Sequence, residues 1–230
     1  MALLVNVHPL EYAGMAMAAF SFLLYSMLLV LLFKRRGDVV LGASFFQLSF
    51  TVGIFDLLSL SNVYLTQRLP TWGVLIRELF IPYEDYVGNA GTALIAWSQT
   101  SQYTGVLAIA VNRMMALAFP DAFKRFWNKQ NTRYVSIAIS ISGSYGFPVV
   151  FLYAPLHYVV VNSTDGHEYA YIAYKQVERG SLVYTGLTVY LMAGAVVCAS
   201  CYAVALASVA AQGRLIGRAT TAGSVVASEL

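Results

Sequence analysis

The run of residues 12–33, YAGMAMAAFSFLLYSMLLVLLF, ends directly against Lys34-Arg35-Arg36. It carries no charged side chain and is long enough to cross the ~30 Å hydrocarbon core of a bilayer as a helix rising ~1.5 Å per residue. The three cations at its end also give a direction, because short loops rich in Lys and Arg stay cytoplasmic. Four further apolar stretches follow, at about residues 39–65, 87–118, 134–156 and 182–211. The expected fold is therefore an all-α membrane protein with five transmembrane helices in residues 1–211.

The loops repeat the bias of the opening stretch. Nine of the fourteen basic residues fall on one side: Lys34, Arg35, Arg36, Lys124, Arg125, Lys129, Arg133, Arg214 and Arg218. The other side holds Arg68, Arg77, Lys175 and Arg179, against seven acidic residues. Five crossings then put the N-terminus outside and the C-terminus in the cytoplasm. The sequon Asn162-Ser163-Thr164 falls in the loop assigned to the outside, where glycan transfer at Asn162 is possible. No Lys or Arg precedes Lys34, so the basic region of a cleavable signal peptide is missing and the first helix is expected to be retained.

Composition excludes several classes. Apolar residues make up 59% and charged residues 11% of the 230 residues, unlike an ordinary soluble domain. The net charge of +3 reflects the loop bias and gives no case for nucleic acid. The two cysteines, Cys198 and Cys201, lie one turn apart in the fifth segment and read as small packing residues, so no disulfide is expected in the outer loops. The only histidines are His8, His157 and His167, and neither H-E-x-x-H nor G-x-S-x-G occurs. No enzyme, metal or cofactor is expected, and no Lys lies within an apolar segment to carry a retinal-type Schiff base.

Two ionisable side chains lie well inside the apolar segments, Asp56 and Arg113. Charge in a bilayer is costly, so such residues face a bundle interior or a hydrated cavity and mark function. Helical rise places them roughly 18 Å apart in depth, too far to pair. Asp56 should instead meet Ser98, Ser101 or Gln102 of the third segment, either as helix glue or as a hydrated cation or switch site. At 100° per residue, Arg113 lies within about 20° of Gln102 and 40° of Gln99. That polar stripe looks into the bundle, where Gln99, Gln102 and Tyr103, with Asp56, are candidates to line a small-molecule pocket between the second, third and fifth helices. Hydrogen bonding between helices without a ligand is the alternative. Ser136, Ser140 and Ser144 form a small seam suited to close packing.

The most specific motif follows the third helix: Asn112-Arg113-Met114-Met115-Ala116-Leu117-Ala118-Phe119-Pro120, continuing through Phe123-Lys124-Arg125-Phe126-Trp127. This pattern resembles the serpentine chemoreceptors of nematodes, most closely class gamma (Srg). Ser44-Phe45-Phe46, Asp56-Leu57-Leu58 and Arg68-Leu69-Pro70-Thr71-Trp72-Gly73 look like the same class, and the resemblance covers roughly residues 10–205. It implies a seven-helix, G-protein-coupled receptor for environmental small molecules in the plasma membrane of sensory cells. Arg113 then matches the arginine at the cytoplasmic end of the third helix that helps hold the inactive state and meets the G protein. Asn112 takes the place of the acid that precedes it in rhodopsin-type receptors. Pro120, Lys124, Arg125 and Trp127 would belong to the second cytoplasmic loop, a coupling surface. Against seven expected crossings the sequence has five, and residues 212–230 read as a cytoplasmic tail or an incomplete third loop. A truncated, non-signalling receptor is thus one expectation. A polar-path transporter or channel fragment is an alternative, as is a membrane protein that associates with other receptors through the small-residue face Ala195, Ala199, Ala203 and Ala207.

Overall fold

The computed structural model describes residues 9–35, 43–153, 155–162 and 168–227. His8, Arg36, His167 and the Ser163-Thr164 part of the sequon lie outside the described residues. The chain forms helices α1 (Pro9–Lys34), α2 (Ser44–Val63), α3 (Glu84–Ala118), α4 (Pro120–Phe126), α5 (Lys129–Ser142) and α6 (Val177–Ala227). An antiparallel hairpin, β1 (Leu156–Asn162) and β2 (Glu168–Tyr174), precedes α6.

Four stretches are long and apolar enough to cross a membrane: Glu11–Lys34, Ser44–Thr71, Lys129–Tyr153 and Val177–Gln212. Helix α3 has the length, at 35 residues, but is more polar than these four. Its position explains the difference, since α2, α5, α6 and β1 all pack against it. Ser98, Thr100, Ser101 and Asn112 on α3 are buried, and Thr100 and Asn112 find partners on neighbouring elements, Tyr145 and Ser44, instead of facing lipid. The outer helices show the opposite face, with Met17 71%, Met27 74% and Leu206 70% exposed. Apolar side chains at that exposure and number suit a lipid boundary. The central core packs Leu48 and Phe55 of α2 with Ile139 of α5 and Trp127, and Trp97 stacks edge-on against Phe55 at 5.5 Å.

Three elements differ from the sequence reading. The fourth segment does not continue as helix to residue 156. It breaks at Gly143, resumes as a short π turn at Val149–Tyr153, and gives way to β1 at Leu156. Hydropathy alone marks residues 134–156 as one apolar stretch and does not register the break at Gly143, while most of β1 lies in what read as the following loop. Residues 66–86, which lie between the second and third apolar stretches, are not a plain loop: π turns at Tyr64–Arg68 and Ile76–Phe80 and a short helix at Leu69–Thr71 run through residues 64–80. Residues from 212 onward, expected as a tail or loop, continue α6 to Ala227. The expected Ser seam is partial: Ser140 donates to the Ser136 carbonyl at 2.9 Å, but Ser144 is exposed. The residue that lets α5 approach α3 is Gly143, which sits against the backbone of Trp97.

The hairpin and the 64–83 stretch together cover one end of the bundle. Tyr158 and Ala170 pack on Ile76 and Phe80, the Tyr158 hydroxyl donates to the Thr66 carbonyl at 2.7 Å, and the Leu156 N–H donates to Asn89 Oδ1 at 2.7 Å. Arg77 reaches Glu168 through two hydrogen bonds, 3.0 and 2.5 Å. Glu11 ties in α1, accepting from the Trp72 indole and pairing with Arg68 at 3.6 Å. Both cysteines are free thiols on α6, so side-chain contacts such as these hold this end.

Candidate functional site

Asp56 stands twelve residues after the start of α2 at Ser44, about 18 Å along the helix and hence near mid-membrane. The side-chain amide of Gln102 on α3 donates to Asp56 Oδ1, one of the three partners its depth suggested. The Tyr25 hydroxyl, from the middle of α1, hydrogen-bonds the same carboxylate. Beside this cluster lies a cleft of about 300 Å³, lined by Ser21, Tyr25, Asp56, Ser59, Leu60 and Gln102 among others. A neutral amide and a phenol thus hold the carboxylate between three helices. The described residues bring no Lys or Arg to it, and their ion pairs lie elsewhere.

The cleft lies among α1, α2 and α3, whereas the sequence reading put it between the second, third and fifth helices. Neither Gln99 nor Tyr103 lines it. Gln99 lies 60° from Gln102 on the helical wheel, and Tyr103 is turned 100° away and is 46% exposed. Of the other expected partners, Ser98 donates within its own helix to the Ile95 carbonyl at 3.1 Å, and the buried Ser101 hydroxyl has no hydrogen-bond partner. The contribution of Ser21 and Tyr25 was missed, because a Ser and a Tyr in an apolar helix are ordinary.

A second polar cluster, also missed, joins α3 to the α5 end and α6. Thr104 meets the Tyr190 hydroxyl at 2.7 Å and accepts from Ser142 at 3.2 Å, while Thr100 lies 3.0 Å from the Tyr145 hydroxyl. Its one legible sign was the pair of threonines four residues apart on α3, which share a helix face.

The basic end forms a tight corner. Asn112 is buried and donates to Ser44 Oγ at 2.8 Å, pinning α3 to the start of α2. Arg113 is exposed and stacks over the Phe45 ring, 4.5 Å from its centroid, so it makes a cation–π contact and no acid–arginine lock. Arg113 and Asp56 do not meet: Phe45, which Arg113 covers, stands eleven residues before Asp56 on α2, about 16 Å away. Pro120 opens α4 at a position where its missing N–H costs nothing. Trp127, 8% exposed, donates its indole N–H to Met115 sulfur at 3.3 Å. Asn128 caps α5 by accepting the Asn131 N–H at 2.9 Å, and Asn131 donates to the Phe126 carbonyl at 2.9 Å. Lys124 and Arg125 project from this corner, both exposed.

Fold and geometry together define a multi-pass helical membrane protein with a polar centre at mid-membrane on a covered central helix. The family model for the serpentine type 7TM GPCR chemoreceptor Srv matches residues 14–222, and the chain belongs to that family. It is a family of receptors and not of enzymes. The serpentine chemoreceptor resemblance holds, while the matching class is Srv and not the gamma class that the motifs suggested. Among curated proteins, none matches the sequence.

Proposed function

We propose that this chain is a chemosensory receptor that takes a small molecule in the cleft beside Asp56 and Gln102. The observation that carries the reading is a carboxylate held at mid-membrane by an amide and a phenol, against a cleft of about 300 Å³. That volume is at the lower end of the ~300–1,000 Å³ usual for ligand sites. Intramembrane ionisable groups of this kind are expensive and mark functional positions.

In this reading the hairpin end faces outward, with Asn162 available for glycosylation, and the basic end lies in the cytoplasm. A ligand that alters the Asp56–Gln102 contact acts on both α2 and α3. These helices meet again about 16 Å away, at Asn112–Ser44 and Arg113–Phe45. Arg113, Pro120, Lys124 and Arg125, braced from beneath by the buried Trp127, then present the surface that a heterotrimeric G protein would read, in the plasma membrane of sensory cells.

The test is a thermal-stabilisation screen of a library of small odorant-sized molecules against the purified protein. Compounds that raise Tm should lose their effect in Leu60→Trp, which narrows the cleft. Hits that stabilise Leu60→Trp as well as the wild type would place the site elsewhere.

A further inference from the structure

The Asp56 cluster lacks one component. Its carboxylate receives hydrogen bonds from Gln102 and Tyr25, both neutral groups. No cationic side chain among the described residues reaches it, and Arg113 is committed to Phe45 at the basic end. A carboxylate bounded by apolar walls favours an opposite charge at close range. The remaining lining sorts into two kinds: the hydroxyl-bearing side chains Ser21 and Ser59, and the apolar walls Leu57, Leu60 and Val63.

We infer that the cleft is selective for a small organic cation, a protonated amine with a short apolar body. The ammonium would sit against the Asp56 carboxylate. Its three N–H donors need three acceptors: Asp56 would supply one, and the Ser21 and Ser59 hydroxyls on the same lining would supply the others. The alkyl portion would lie along Leu57, Leu60 and Val63. This narrows the ligand class for the site proposed above and rests on that reading.

The experiment compares isopentylamine with 3-methylbutan-1-ol, which match in size and differ in charge at neutral pH. Binding is measured by saturation-transfer NMR on the full chain in lipid nanodiscs, with protein-free nanodiscs subtracted. The amine should bind at least tenfold more tightly than the alcohol, and Asp56→Asn should remove the difference. The wild-type comparison stands alone if that variant fails to fold. Equal binding of both probes, lost in Leu60→Trp, would overturn the charge selectivity and leave the pocket in place. Amine binding unchanged in Leu60→Trp would remove the pocket itself. Binding of neither probe would overturn the inference, and the pocket would then be judged by the library screen.

Discussion

Substituting Gly143→Ala should separate α5 from α3. A Cβ at residue 143 would press on the Trp97 carbonyl oxygen, 2.8 Å from Trp97 Cα and 2.9 Å from its carbonyl carbon. All three are backbone atoms of a central helix, so no side-chain rotation relieves the contact. Overpacking of this kind costs about 1–3 kcal/mol. The same approach lets the Trp97 indole N–H reach the Ser140 carbonyl at 2.6 Å, a bond worth about 0.5–1.5 kcal/mol net. Partial loss of both gives roughly 2–3 kcal/mol. At about 2–4 °C per kcal/mol for a chain of this size, Tm should fall by about 5–10 °C. The assay is thermal melting of the detergent-solubilised protein, with Ser144→Ala as the control, since that exposed neighbour should change stability by less than about 0.5 kcal/mol. A Gly143→Ala protein that melts within a degree of wild type would refute the close-packing argument.

Other consequences concern the hairpin end. Asn89→Ala leaves the buried Leu156 N–H without its acceptor, a loss of about 1–3 kcal/mol; amide exchange in β1 should accelerate while that of α2 stays unchanged. Gly73 has a φ of +79°, and a Cβ there would lie 2.8 Å from the Glu168 carbonyl oxygen. Gly73→Ala should therefore loosen the hairpin with little effect on the core around Trp97, read as faster exchange in β1 and β2 with that of α3 unchanged. The hydrogen bond from Arg77, helped by its charge, holds the Glu168 carboxyl below its ordinary 4.5. A depressed acid stabilises above its ordinary value and loses that contribution as pH falls through the lowered one. Exchange in β1 relative to α3 should rise below about pH 4, and Glu168→Gln should abolish that dependence.

The helical frame was legible because a bilayer imposes length and apolarity together, as residues 12–33 show. That one face of α3 turns into the bundle was legible from the polar stripe of Gln99, Gln102 and Arg113; that four elements surround it was not. The hairpin was not read, although the alternation in Glu168–Tyr174, EYAYIAY, carries the period of a strand. Residues 157–181 were read as a loop between the fourth and fifth apolar stretches, and averaged hydropathy does not register a period of two. Asp56 and its partner Gln102 followed from depth and wheel position. The third helix of the cleft did not, because which face of α1 meets α2 depends on packing that no local pattern in 12–33 records.

The central claim is a water-reachable polar cleft inside an apolar shell. Cysteine accessibility tests it most directly, with Cys198 and Cys201 replaced by Ala so that no native thiol remains. Ser21 lines the cleft, and Leu23, two residues on and about 160° round the helix at similar depth, is 63% exposed on the opposite face of α1. A water-soluble methanethiosulfonate should label Ser21→Cys in intact membranes and leave Leu23→Cys unreacted, with Leu60→Trp slowing the first reaction. Equal protection of both positions, or labelling of Leu23→Cys alone, would contradict the cleft and the membrane boundary drawn around it.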